Sequence, residues 1–259
     1  ITGIYTFMYR IENIIGFSDA TVTISVNEGP TAHSDQYEFL YTADQNVNGA
    51  AGLFADNGSG ADELAFPAAT LTSFGGGDLG GAVGDQTAGS TVTLAGGDLT
   101  VNADGSWTLT GQPFTPGIYT FDYQISNVAG TSTATVTFVI QDPPIAQKDS
   151  LSVDINAMTA LVAGTLFNDN GYGADHLGTP AATVVSFGGG TLGGDETSYV
   201  QGTSQAFAGG TITVNADGSL TVDNPTMDGN YTFTYRLSNT SGFSNAEVVI
   251  SILSVPVAQ

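Results

Sequence analysis

The sequence has no cysteine and only three basic side chains, Arg10, Lys148 and Arg236, against 25 acidic ones. The lack of cysteine excludes disulfide cross-links and thiolate chemistry. The formal net charge of −22 argues against nucleic acid and anionic membranes as partners, because both are bound through lysine and arginine. Two interpretations of the charge stay open, namely solubility in a salty medium and binding of divalent cations.

Long apolar runs and helical periodicity are also missing. No apolar run reaches the roughly 18 residues that a membrane span needs, so we expect no membrane insertion in this segment. No window repeats apolar residues at helical spacing between capping residues. Short alternating runs between Gly, Asn and Asp dominate instead, and the chain contains 35 glycines. This pattern predicts an all-β protein.

The chain repeats itself at an offset of 113 residues. Residues 53–58 (LFADNG) recur as 166–171 (LFNDNG), and residues 101–106 (VNADGS) recur as 214–219. The end of the repeat occurs three times, as YTFMY at 5–9, YTFDY at 119–123 and YTFTY at 231–235. We therefore expect the last two strands of an incomplete repeat at 1–28, a complete repeat at 29–142, and another at 143–259 with the start of the next linker.

A repeat of this length suits a β-sandwich of about seven strands. The Tyr/Phe/Tyr stripe has a period of two, which places its aromatic rings on one face, and we assign that face to the core. The junctions at 28–30, 142–144 and 255–257 are short and contain proline, so we expect them to be stiff and the array to form a rod. The glycine triplets at 75–77 and 188–190 predict a bulge or a close approach of two backbones.

The incomplete first repeat would expose Tyr5, Phe7 and Tyr9, and a two-stranded hairpin is only marginally stable by itself. Residue 1 is Ile and no signal peptide is recognisable, so we expect the chain to derive from something longer. Two explanations of the hairpin stay open. It belongs to a longer repeat array, or another chain supplies the missing strands.

In chain order, each repeat carries Pro-x-Ala-x-x-Asp, Leu-Phe-x-Asp-Asn-Gly, Val-Asn-Ala-Asp-Gly-Ser and Tyr-Thr-Phe-x-Tyr. These motifs resemble the cadherin-like or immunoglobulin-like tandem repeats of large bacterial surface adhesins and extracellular fibres. The resemblance covers nearly the whole chain. It implies tandem immunoglobulin-like β-sandwiches, secretion to the bacterial cell surface, and partners that are adjacent repeats of a longer chain or other copies of the same protein.

The resemblance also implies calcium near the domain junctions, often in an Asn-Asp-x-Asp-x-Asp-Gly-Asp loop. The corresponding loops at 56–62 and 169–175 carry fewer carboxylates than that pattern. Asn13, Asn127 and Asn239 stand where many relatives carry Asp.

The order of strands places acidic residues at one pole of each sandwich. Asp35 and Asp149 begin a first strand that runs away from the junction, and an antiparallel second strand returns to the same pole. Ca²⁺ takes six to eight oxygen ligands, and the converging side chains supply several. Asp, Asn and Gly are equally what turns favour, so a purely structural role stays open. The candidate Ca²⁺ ligands are Asp35, Asp56, Asn57 and Asp62 in one repeat and Asp149, Asp169, Asn170 and Asp175 in the next.

The sequence shows no recognisable set of catalytic side chains. His33 and His176 do not occupy matching repeat positions, and no nucleophile, base and orienting group occur together. We therefore predict no enzyme and no catalytic residue. The predicted function is a structural or adhesive module of a secreted bacterial filament or giant adhesin. The alternative is a carbohydrate- or ligand-binding sandwich of an exported protein, although Trp107 has Leu220 at its repeat equivalent and forms no repeated aromatic platform.

Overall fold

A computed structural model describes residues 1–156, 159–160 and 164–254. Its regular elements are β-strands, together with three single-turn 3-10 segments at Gly49–Ala51, Gly77–Leu79 and Gly190–Leu192. The predicted all-β class is confirmed. Within the described ranges no helix is long and apolar enough to cross a membrane. The predicted junction at 255–257 lies outside the described residues.

The chain divides into two compact units, Ile1–Ile140 and Gln141–Gln259. The first unit begins with an antiparallel hairpin of β1 (Gly3–Asn13) and β2 (Gly16–Val26). The finer division of this unit at residue 28 stays a prediction.

The first sandwich has two sheets, ordered β3-β11-β10-β5-β6 and β4-β9-β8-β7. In the five-stranded sheet, β3 and β11, the first and last strands of the repeat, are neighbours at one edge. The strands are β3 (Asp35–Leu40), β4 (Gln45–Val47), β5 (Thr70–Gly75), β6 (Gln86–Thr87), β7 (Thr91–Leu94), β8 (Gly97–Val101), β9 (Trp107–Thr110), β10 (Gly117–Asn127) and β11 (Gly130–Gln141).

The second sandwich repeats this topology, with sheets ordered β12-β20-β19-β14-β15 and β13-β18-β17-β16. The common order of strands in both units confirms the predicted tandem immunoglobulin-like β-sandwiches. The strands are β12 (Asp149–Asp154), β13 (Thr159–Ala160), β14 (Thr183–Gly188), β15 (Tyr199–Val200), β16 (Ser204–Phe207), β17 (Gly210–Val214), β18 (Leu220–Asp223), β19 (Gly229–Asn239) and β20 (Gly242–Leu253).

The aromatic stripe lies in the core, as predicted from its period of two. Phe121 and Tyr123 are fully buried in the first sandwich, and Phe233 and Tyr235 are fully buried in the second. Trp107 is also fully buried, so its ring is not exposed as a surface for a ligand. Each sandwich has its own cluster of buried apolar side chains.

The glycine triplets allow two backbones to approach closely, as predicted. A Cβ atom on Gly77 would lie 2.3 Å from the carbonyl oxygen of Thr120. A Cβ atom on Gly190 would lie 2.4 Å from the carbonyl oxygen of Thr232. Both glycines have a positive φ angle, which glycine adopts without strain.

Candidate functional site

A polar cluster lies at the start of the first strand in each sandwich. In the first, Asp35 begins β3, and its backbone pairs with Gly58 in the loop that follows Leu53. The side chain of Asp35 is only 4% exposed. Its Oδ1 accepts a hydrogen bond of 3.2 Å from Nδ2 of Asn57. Its Oδ2 is buried and makes no hydrogen bond of normal geometry with the described residues.

A second carboxylate, that of Asp62, completes the cluster. The hydroxyl of Tyr123 donates to this carboxylate and lies 2.8 Å from Oδ2 and 2.9 Å from Oδ1. The backbone N–H of His33 donates to Oδ1 at 2.7 Å. The loop, the linker and the core strand β10 are therefore joined through one carboxylate.

Burial of these groups changes their acidity. Burial raises the pKa of Asp35 to about 7; the nearby charge of Asp62 adds to the shift, and the hydrogen bond from Asn57 opposes it. Burial also raises the pKa of Asp62, against the hydrogen bonds that it accepts. The pKa of Tyr123 is raised as well, first by burial and then by the two carboxylates, so the hydroxyl keeps its proton and stays a donor.

The second sandwich has the same cluster. Asp149 is 1% exposed, and Nδ2 of Asn170 donates to its Oδ1 at 2.7 Å. Its Oδ2 is again buried and makes no hydrogen bond of normal geometry in the described part of the chain. The hydroxyl of Tyr235 donates to Asp175 at 2.6 Å. Burial raises the pKa of Asp149 to about 7, and the charge of Asp175 contributes to the shift.

The structure brings together six of the eight predicted site residues. Asp35, Asn57 and Asp62 form one group, and their equivalents in the second repeat form the other. Asp56 and Asp169 do not join these groups. Oδ1 of Asp56 accepts from the N–H groups of Gly58 and Gly60, and Asp169 makes the same bonds one repeat later. They organise the loop, which is the turn role left open from the sequence.

Sequence reasoning missed the tyrosines. Tyr123 and Tyr235 were assigned to the core only, yet their hydroxyls are the donors that hold the acidic loops. The recurrence of Tyr at the same place in the YTFxY motif was a usable signal, because a buried tyrosine usually finds a hydrogen-bond partner for its hydroxyl.

The donor atoms decide which residues could hold a cation. Asn57 turns its N–H toward Asp35, and the same nitrogen donates to the carbonyl oxygen of Gly52 at 2.8 Å. Asn57 therefore acts as a donor here and leaves the carboxylates as the cation ligands, as does Asn170 in the second repeat. Across the ranges that the structure describes, no three His, Cys, Asp or Glu side chains are grouped as metal ligands.

The two histidines lie in different surroundings. The ring of His176 is 57% exposed, and its Nε2 contacts Oδ2 of Asp142 in the linker before β12. His33 contributes its backbone to the cluster of the first sandwich, where its N–H donates to Asp62 and its carbonyl oxygen lies 2.9 Å from the hydroxyl of Tyr123.

We expect each sandwich to be more stable at pH 5 than at pH 8. The pKa of Asp35 and Asp149 is about 7 in the folded chain and roughly 3.9 when unfolded. Their contribution is therefore fully present below about pH 4 and is lost as the pH rises through 7. After discounting for screening, the loss is on the order of 1–2 kcal/mol per site. Melting temperatures measured between pH 5 and 8 test this.

The matched control is the double variant Asp35→Asn, Asp149→Asn. Asparagine has the same shape and does not titrate, so the variant should lose this part of the pH dependence and keep only the general effect of the net charge. An unchanged pH profile in the variant would show that these two carboxyls do not titrate as described.

No protein-family profile matches the sequence, and no curated protein is significantly similar to it. Similar solved structures include extracellular domains 3–5 of Drosophila OTK, at 11% identity and a TM-score of 0.43, with 97% of this chain and 71% of that chain covered. The titin I-band fragment I67–I69 has 13% identity and a TM-score of 0.37, with 98% and 75% covered. The four N-terminal Ig domains of Dscam1 isoform 8.4 have 10% identity and a TM-score of 0.47, with 90% and 52% covered. Similarity at this level does not indicate function.

Proposed function

We propose that this chain is a tension-bearing structural or adhesive module of a secreted bacterial surface adhesin or extracellular filament. In this proposal the sandwiches transmit force along a repeat array, and neighbouring repeats or other copies of the protein are the partners. The observation that carries the proposal is the pairing of the first and last strands within one sandwich.

Strand β12 pairs in parallel with β20, from Asp149 opposite Val248 to Asp154 opposite Leu253. Tension applied at the two ends of the sandwich pulls β12 at its Asp149 end and β20 at its Leu253 end. These ends lie at opposite ends of the paired region, so the two strands are sheared past each other. Shear loads all the hydrogen bonds of the pair together, whereas opening a hairpin from its end breaks them one at a time.

An asparagine fastens the linker to each sandwich. Nδ2 of Asn239 donates to the carbonyl oxygens of Asp142 and Pro180, and its Oδ1 accepts from the N–H groups of Ser241 and Gly242. Asn127 makes the equivalent four bonds in the first sandwich. Force entering through the linker therefore reaches the β19–β20 turn as well as β12.

Stretching the full chain between its ends in a single-molecule force experiment tests this function. We expect two separate unfolding steps, one for each sandwich. Each should release roughly 350 Å of chain, because about 110 residues extend by up to about 3.4 Å each and the folded length is subtracted. A smooth extension without steps would contradict a tension-bearing role.

We propose further that Ca²⁺ neutralises the buried carboxylates when the pH lies above their pKa. The residues that would hold it are Asp35 and Asp62 in the first sandwich and Asp149 and Asp175 in the second. The support is the buried Oδ2 without a hydrogen bond in each described cluster and the shortage of basic side chains. A bound cation would supply the positive charge that the cluster lacks.

For calcium, we expect a chelator to lower the melting temperature at pH 8 and to have much less effect at pH 5, where protons already neutralise the site. The double variant Asp35→Asn, Asp149→Asn should be insensitive to the chelator at both pH values. If the melting temperature at pH 8 is the same with and without chelator, calcium has no part in the fold and protonation alone accounts for the cluster.

A further inference from the structure

The hairpin β1–β2 has one face that is apolar and exposed. We call it the open face, and it consists of Tyr5, Phe7, Tyr9, Ile11, Ala20, Val22, Ile24 and Val26. Phe7 is 54% exposed, Ile11 64% and Ile24 48%. An exposed apolar face of this kind on a soluble protein marks a surface that something else covers.

The second sandwich shows what covers an equivalent face. Strands β19 and β20 pair in the same register as β1 and β2, and both hairpins end in the pair Asn–Gly. The residue equivalent to Phe7 is Phe233, and the residue equivalent to Ile24 is Ile250. Both are fully buried, against the opposite sheet of the same sandwich.

The edges of the hairpin are open in the same way. In the second sandwich, β20 pairs in parallel with β12, and β19 pairs antiparallel with β14. In the described part of the chain, β1 and β2 pair only with each other. The hairpin therefore offers one edge to a parallel strand and the other edge to an antiparallel strand.

Asn13 at the tip of the hairpin makes half of the hydrogen bonds that Asn239 makes at the equivalent position of the second sandwich. Its Oδ1 accepts from the N–H groups of Ile15 and Gly16, as Oδ1 of Asn239 accepts from its own turn. Nδ2 of Asn239 also donates to a linker carbonyl and to Pro180. An open surface depression of about 410 Å³, lined by residues that include Asn13 and Gly16, lies at this tip.

Arg10 makes the same aromatic contact as its repeat equivalent, Arg236. Its guanidinium lies 3.9 Å from the ring centre of Phe17, as that of Arg236 lies 4.3 Å from the ring centre of Phe243. Arg236 also donates to Glu196 at 2.7 Å, from a loop that belongs to the covering part of the sandwich. Arg10 is already paired with Asp19, at 2.8 Å from Nε to Oδ1, where the second repeat has Asn245, so it needs no acidic residue from the covering segment.

We propose that the open face is covered by the first seven strands of another repeat of this type, located before β1 in the same polypeptide. In both complete repeats the covering strands precede their hairpin in the same chain, which favours this source over a second molecule. The proposal concerns the partner of the hairpin and is independent of the tension-bearing role.

Fusing a copy of residues 143–226 in front of Ile1 of the full chain tests the proposal. Residue 227 is the repeat equivalent of Ile1, so the fusion builds a continuous hybrid repeat. We expect amide hydrogen exchange in β1 and β2 to slow by at least about 100-fold, toward the rates of β19 and β20. A second fusion, of residues 30–114, keeps the test decisive if the first misfolds.

Matched variants of the fused chain separate the two faces of the hairpin. Phe7→Ser with Ile24→Ser, on the open face, should abolish the protection, while Met8→Ser with Thr21→Ser, on the other face, should leave it intact. The proposal is overturned if neither fusion slows exchange, or if the unfused chain already protects β1 and β2. In the latter case, protection that depends on protein concentration would identify a second copy as the occupant. Protection that does not depend on concentration would identify the chain's own sandwich.

Discussion

Replacing Trp107 with alanine is expected to destabilise the first sandwich by about 3–5 kcal/mol, the usual cost of removing a large buried aromatic side chain. The indole is fully buried. Its ring centre lies 4.8 Å from that of Tyr37 and 4.6 Å from that of Phe138, so the substitution leaves a cavity between the two sheets. Calorimetry of the full chain should show the transition of the first sandwich at a clearly lower temperature.

The second sandwich provides the matched control. Leu220 is fully buried at the repeat equivalent of Trp107. Leu220→Ala should lower the stability of the second sandwich by about 2–5 kcal/mol and leave the first unchanged. Because each sandwich has a separate core, each substitution should move one transition only. If either substitution moves both transitions by the same amount, the two sandwiches do not unfold independently.

Gly77→Ala is expected to destabilise the first sandwich by more than about 3 kcal/mol. The new Cβ would lie 2.3 Å from the carbonyl oxygen of Thr120, which cannot move without disturbing β10. The overlap adds to the roughly 1–2 kcal/mol that a left-handed conformation costs an L-residue.

Gly80 separates these two contributions. It has a φ of +71°, similar to the +52° of Gly77, but a Cβ there would meet nothing within 4 Å. Gly80→Ala should therefore cost only about 1–2 kcal/mol. Chemical denaturation of both variants gives the comparison. Equal losses would mean that the glycine triplet is not required by close backbone packing.

Local sequence pattern was enough to predict the repeat, the sandwich and the core stripe, because each depends on periodicity or on a fixed offset along the chain. The parallel pairing of β12 with β20 was not predicted, since it joins strands about a hundred residues apart and leaves no local signal.

The polar clusters were predictable in part. Asp35 and Asn57 could be placed at one pole from the order of strands. Asp56 could not be distinguished from them, because an aspartate in a glycine-rich loop is equally suited to bind a cation or to cap a turn. The structure assigns it to the turn through its bonds to two backbone N–H groups. The role of Tyr123 depends on the direction of a hydroxyl at the end of a core side chain, which periodicity does not specify.

The most direct test of the tension-bearing role compares two pulling directions on the same sandwich. The chain has no cysteine, so thiol handles can be introduced at chosen positions in the full-length protein. Gln141→Cys with Ser254→Cys loads β12 against β20 in shear. Asp228→Cys with Ser254→Cys pulls apart the adjacent ends of β19 and β20, where the two side chains are hydrogen-bonded. We expect the first pair to unfold the sandwich at a force several-fold higher than the second; equal forces in the two directions would contradict the proposed function.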